Sequence, residues 1–140
     1  SRQSKSGYDL TPLSRVAVAE LASKLDPEAY DVTQRAGTER PFCGGLLENK
    51  KDGVYTCVVC GLPLFSSDHK FESGTGWPSF FAPKDDKSIE YKDDRSLFRK
   101  RTEVLCNSCG AHLGHVFDDG PPPTGKRYCI NGLALEFSSK

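Results

Sequence analysis

Six cysteines and three histidines carry most of the chemistry open to this chain of 140 residues. Four of the cysteines form two matched pairs, Cys57-Val-Val-Cys60 and Cys106-Asn-Ser-Cys109, each followed directly by a glycine, Gly61 or Gly110. A C-x-x-C turn with glycine after its second cysteine lets backbone amides point at both sulfurs. Two such turns supply four thiolates to a tetrahedral Zn²⁺. Redox-active C-x-x-C motifs or two disulfides are the competing readings, and the matched pairs weigh against both. Four thiolates would fill the coordination sphere, so this zinc would hold the fold and do no chemistry. The long stretch between Cys60 and Cys106 places the two turns on separate hairpins clasped by the metal.

Cys43 and Cys129 remain. Cys129 lies in Gly125-Lys-Arg-Tyr-Cys-Ile-Asn131. On a strand, positions 127, 129 and 131 share one face, so Arg127, Cys129 and Asn131 would set a guanidinium, a thiol and a carboxamide side by side. A nearby cation raises the thiolate fraction that a nucleophile needs, and Asn131 could orient a substrate or a water. The same segment reads equally as a core strand with a small, inert thiol.

His112-Leu-Gly-His115 places two of the three histidines just after the second cysteine pair. Such a pair suits general acid catalysis and thiol activation. A second metal site and plain packing stay open. Gly74-Thr-Gly-Trp-Pro-Ser-Phe80 frames Trp77 in a rigid loop. Its indole would make a wall for a small apolar group such as an S-methyl, or cap the sheet as a core residue. His69, in a polar loop, reads as ordinary surface.

The elements that must position these residues are short. Thr11-Pro12 marks a helix start, and apolar residues at 13, 16, 17, 21 and 25 predict a helix from Leu13 to Leu25. Asp26-Pro27-Glu28 predicts a second helix that ends before Gly37. From Thr38 onward the texture is that of strands: Val54–Cys57, Leu64–Phe65, Ser79–Phe81, Ile89–Tyr91, Ser96–Cys106, Val116–Phe117, Tyr128–Ile130 and Leu133–Phe137. Lys84 to Glu103 mixes seven basic with six acidic residues and reads as a solvated surface.

Composition bounds the rest. The length fits one domain, taken as 11–140, behind a polar tail over 1–10 that is disordered or foreign to the fold. Lys and Arg number 19, as do Asp and Glu, and this balance argues against a nucleic-acid partner. No apolar run approaches the roughly 18 residues that cross a bilayer. Thiolate ligands beside two spare thiols point to a reducing compartment: the cytoplasm, or an organelle after removal of a targeting segment. A monomer is expected. The chain contains no methionine.

Phe71-Glu-Ser-Gly-Thr-Gly-Trp-Pro-Ser-Phe80, His112-Leu-Gly-His-Val-Phe117, Asp119-Gly-Pro121 and Arg127-Tyr-Cys-Ile-Asn131 closely resemble the B-type methionine sulfoxide reductases. So do both C-x-x-C pairs and Gly37-Thr-Glu-Arg-Pro-Phe42. The match runs in order from about Tyr30 to Phe137. The resemblance implies a mainly β fold of the β-tent type, with two antiparallel sheets clasped by zinc and short N-terminal helices. It implies reduction of the R epimer of methionine sulfoxide in oxidised proteins, as a repair of oxidative damage.

Cys129 then matches the family's nucleophile. His112, His115 and Asn131 match residues around the sulfoxide, and Trp77 matches the wall for the S-methyl group. Phe80 joins them as a substrate-binding residue. Arg127 and Asp119 match residues near the nucleophile. Many members carry a resolving cysteine in the tryptophan loop, where this chain has Thr75. Cys43, flanked by Gly44 and Gly45, is the resolving thiol expected in its place, forming a disulfide with Cys129 that a thioredoxin-like dithiol reduces; the alternative is a surface thiol without a role, in an enzyme that an external reductant recycles directly. Two rivals stand beside this reading: a zinc-stapled binding module without catalysis, and another thiol redox enzyme such as a peroxidase.

Overall fold

The computed structural model describes residues 14–38, 40, 46–94 and 101–139. The tail over 1–10 and Cys43 lie outside the described residues. Ser14 caps the first helix, α1 (Arg15–Ala22), by accepting the Ala17 N–H at 3.1 Å. The helix closes at Ala22, earlier than the apolar rhythm predicts. Val16 stands 78% exposed, while Ala22 is buried, and Leu21 and Leu25 pack on the core. Contact with the core is therefore concentrated at the C-terminal end. Pro27 opens α2 (Pro27–Arg35), and Ala36 ends it in the left-handed region at φ 55°, just before Gly37 as expected.

Among the described residues, nine strands follow in two antiparallel sheets. β1 (Gly53–Cys57) pairs with β2 (Pro63–Ser66) and β9 (Leu135–Ser139) in the order β2-β1-β9. The second sheet holds β3 (Lys70–Phe71), β4 (Ser79–Phe80), β5 (Ile89–Asp94), β6 (Arg101–Cys106), β7 (His112–Phe117) and β8 (Arg127–Ile130). Its order is β3-β4-β8-β7-β6-β5. The larger departures from the expected strands lie at β3, β7 and β9. The short β3 carries no alternation long enough to be read. β7 begins at His112, four residues before the predicted start. Gly132–Ala134 form a single 3-10 turn, so β9 starts only at Leu135.

The six-stranded sheet sorts its side chains by register. One face carries Phe80, Ile89, Val104, Cys106, Tyr128 and Ile130 into the core. There Phe65 of the other sheet stacks on Phe80 with centroids 4.5 Å apart, and Tyr55 meets Phe80 edge-on at 5.1 Å. Cross-strand partners share a face, so the pairs Glu103↔His115, His115↔Cys129 and Ser79↔Cys129 put Glu103, His115, Cys129 and Ser79 together on the other face. The period of two then adds Arg101 and Arg127 to the same side.

Candidate active site and metal centre

A cavity of about 290 Å³ opens on that second face. Cys129, half-buried on β8, faces it with Arg127 and Asn131, as the strand spacing predicts. His115 reaches it from β7 as the direct cross-strand partner of Cys129. Trp77 and Thr75 come from the loop before β4, and Thr38 from the segment after α2. Phe117 and the Trp77 indole give the cavity an apolar side beside the polar groups.

His112 and His115 share this side only because β7 is irregular. Val104 pairs with Gly114 and Leu105 with His112, so Leu113 is an extra residue in the ladder. Since Glu103 and Leu105 face the same way, their partners His115 and His112 do too. The two rings lie 5.6 Å apart, edge to face. Gly114 is needed at this point, because a Cβ there would collide with the Cys129 carbonyl oxygen. The Leu113 carbonyl accepts both the Asn131 backbone N–H at 2.9 Å and the Asn131 side-chain amide at 3.0 Å. The bulge thus anchors Asn131 as well.

His112 is buried, and its Nδ1 lies 2.6 Å from Glu103 Oε2. An ionised carboxylate can only accept, so Glu103 favours the ring form with its hydrogen on Nδ1. Glu103 belongs to the stretch expected to be solvated surface, yet its side chain is 14% exposed and ends against a histidine. Arg101, from the same stretch, lines the cavity. The charge pattern concealed both residues. Alternation along β6, Arg101 and Glu103 against buried Val104 and Cys106, was the available signal.

Arg127 is held in a two-pronged pair with Asp119, Nε to Oδ1 at 2.9 Å and a terminal nitrogen to Oδ2 at 3.2 Å. The guanidinium lies 4.4 Å from the Phe117 ring centroid. This hydrogen bond holds the Asp119 carboxyl below its ordinary range. Asp119 is itself exposed and reaches the cavity only through Arg127. Phe80 is not brought to the cavity: it is fully buried in the core, facing away from Cys129. His69 is not among the cavity residues either; its ring packs on Phe81 at 5.0 Å.

The other four described cysteines form a separate cluster. Their sulfurs all lie within 4.8 Å of one another, with Cys57 and Cys109 3.6 Å apart and Cys60 and Cys106 3.6 Å apart. Tetrahedral thiolates about 2.3 Å from a central ion would stand roughly 3.8 Å apart, so the four fit one metal ion. Each turn is built alike. Gly61 (φ 80°) and Gly110 (φ 77°) are left-handed, and each donates its N–H to the carbonyl of the first cysteine at 2.8 Å. Apart from any metal charge, the crowded thiols shift one another in opposite directions. Hydrogen bonding to Cys106 pushes the Cys57 thiol up, while hydrogen bonding to Cys109 pushes Cys106 up. Bonds from Cys106 pull Cys60 and Cys109 down. Cys57 ends β1 and Cys106 ends β6, so a metal here would join the two sheets.

Comparison with known proteins adds the family. The SelR domain model matches residues 25–139. The peptide methionine sulfoxide reductase MsrB of Methanosarcina barkeri is 59% identical over 121 residues, covering 86% of this chain and 85% of the relative. This chain belongs to the B-type methionine sulfoxide reductase family. The MsrB proteins of Methanosarcina mazei and Herminiimonas arsenicoxydans are 57% and 54% identical, over 84% and 86% of this chain and 84% and 88% of theirs. Within the family frame, the cavity at Cys129 is the candidate active site. No described helix is long and apolar enough to cross a membrane.

Proposed function

We propose that the chain reduces the R epimer of methionine sulfoxide in oxidised proteins to methionine, with Cys129 as nucleophile. The observation that carries this is the shared cavity of Cys129, His115, Asn131 and Trp77, in a member of the reductase family. The Cys129 thiolate attacks the sulfoxide sulfur while the histidines supply a proton to its oxygen, and the resulting hydroxyl passes to Cys129 Sγ as the transient sulfur–sulfur bond and the S–O bond break. Methionine departs reduced, and Cys129 is left as the sulfenic acid. His115 delivers the proton from the cavity wall, directly or through a water. His112, backed by Glu103, stands behind it. Trp77 takes the S-methyl while the oxygen faces the histidines, and only one epimer meets both demands.

Cys43 then attacks the sulfenic acid, releasing water and forming a disulfide with Cys129. A thioredoxin-like dithiol reduces it by exchange. Cys57, Cys60, Cys106 and Cys109 hold a structural Zn²⁺ that closes its own coordination sphere and clasps the two sheets. The protein works as a monomer, in a reducing compartment of the cytoplasm or an organelle.

The test offers separated R and S sulfoxides with dithiothreitol, then with thioredoxin. The R epimer alone should be consumed. Cys43→Ser should keep one release of methionine per enzyme and lose thioredoxin-driven turnover. Equal use of both epimers would refute the assignment of the cavity walls.

A further inference from the structure

A line of hydroxyls runs from the nucleophile into the loop that carries Trp77. Cys129 Sγ lies 3.8 Å from Thr75 Oγ1, which lies 2.8 Å from Ser73 Oγ. Ser73 Oγ lies 2.7 Å from Ser79 Oγ, and Ser79 donates to the Trp77 carbonyl at 3.1 Å. Ser73 Oγ also accepts the Thr75 backbone N–H at 3.3 Å.

Proton counting sets the direction of this line. Each hydroxyl owns one hydrogen, and the carbonyl at its end can only accept. Ser79 gives its hydrogen to Trp77, so Ser73 donates to Ser79 and Thr75 donates to Ser73. A neutral Cys129 then donates its S–H to Thr75, and every hydrogen points away from the sulfur. A thiolate reverses the demand, because it can only accept. One torsion of the Thr75 hydroxyl meets it, turning the hydrogen from Ser73 to Sγ. Ser73 Oγ is not left without a donor, since the Thr75 N–H still reaches it.

We infer that Thr75 is a catalytic residue whose hydroxyl switches between two acceptors, Ser73 Oγ beside the thiol and Cys129 Sγ once the thiolate forms. Ser73 and Ser79 are positioning residues: they fix where the hydroxyl rests and compete for its hydrogen. The inference deepens the proposed reaction and rests on Cys129 being its nucleophile. A hydrogen bond to the charged form favours ionisation, so Thr75 holds up the thiolate fraction available for attack.

Several charged or titratable groups surround the same sulfur. Arg127 shares its strand and is tied to Asp119, and His115 faces it from β7. Arg101 lines the cavity from β6, and the Glu103–His112 pair lies behind His115. All of these stay in place when only the loop hydroxyls are changed.

The experiment measures iodoacetamide alkylation of Cys129 against pH, resolved by peptide mass, in the zinc-loaded protein with no sulfoxide present. Thr75→Val keeps the shape and removes the donor. Its midpoint should rise by about one pH unit, roughly tenfold less thiolate at any pH below both midpoints. Thr75→Ser should restore the wild-type midpoint. Ser73→Ala removes the competing acceptor and should lower the midpoint. General loosening of the loop would not give shifts of opposite sign. A Thr75→Val midpoint equal to wild type, or a Ser73→Ala midpoint that does not fall, overturns the inference. Because sulfoxide is absent, the outcome is separate from the reductase reading. Shifts as expected in a protein that cannot reduce methionine sulfoxide would refute that reading and leave the switch standing.

Discussion

The rings of His112 and His115 meet edge to face at 5.6 Å, although the two residues are three apart on one strand. A regular strand would send them to opposite faces of the sheet. The extra residue at Leu113 brings them to one side, and it puts His115 opposite Cys129 with His112 behind. The pair is therefore a product of the bulge.

Gly114 is the point at which that geometry is most exposed to change. Any side chain there meets the Cys129 carbonyl on the neighbouring strand. Gly114→Ala should destabilise the fold by about 1–3 kcal/mol, the usual range for overpacking, and reduce activity beyond the loss of folded protein. Thermal unfolding combined with activity per folded molecule checks this. A variant with wild-type stability would show that the two backbones separate easily.

Glu103 should matter to rate more than to binding, because it touches His112 and does not line the cavity. Replacing it with glutamine keeps the size and removes the charge that favours the proton on Nδ1. Turnover should fall by about a hundredfold, at the lower end of what general acid assistance supplies, with KM little altered. A large change in KM at unchanged turnover would place Glu103 in substrate binding instead.

Phe80 belongs to the core, stacked on Phe65 behind the reactive face. Phe80→Ala should cost about 3–5 kcal/mol of stability, as for other large-to-small core changes. In the fraction that stays folded, KM for methionine sulfoxide should hold. Denaturant unfolding beside steady-state kinetics separates the two effects. A stable variant with raised KM would return Phe80 to the substrate site.

Residue chemistry and strand period are legible in the sequence. The C-x-x-C-Gly turns announced four gathered sulfurs, and the spacing of Arg127, Cys129 and Asn131 announced one shared face. What escaped depended on pairing between strands distant in the chain. The Leu113 bulge is invisible without the register against β6, although an isolated glycine such as Gly114 inside a strand is a known sign of one. Glu103 was hidden by the charges around it, since sequence alone does not say which charged residue turns inward. Phe80 shares the Gly74–Phe80 motif with Trp77. Once β4 forms, alternation sends it to the opposite side from Ser79.

The four-cysteine cluster should be essential to folding. Cys57 and Cys106 terminate strands of different sheets, so losing either opens the clasp between them. Cys106→Ser should abolish stoichiometric zinc in metal analysis and unfold the protein at temperatures the wild type withstands. A folded, zinc-free variant would remove the structural role.

The most direct measurement is a single turnover with the R sulfoxide and no reductant, followed by peptide mass mapping of the cysteines. Methionine should appear in an amount equimolar with the enzyme. The mass change should fall on Cys129, as an added oxygen or as a disulfide, and Cys129→Ser should release none. Methionine released while Cys129 stays unmodified, or equal release by Cys129→Ser, would contradict its role as the nucleophile.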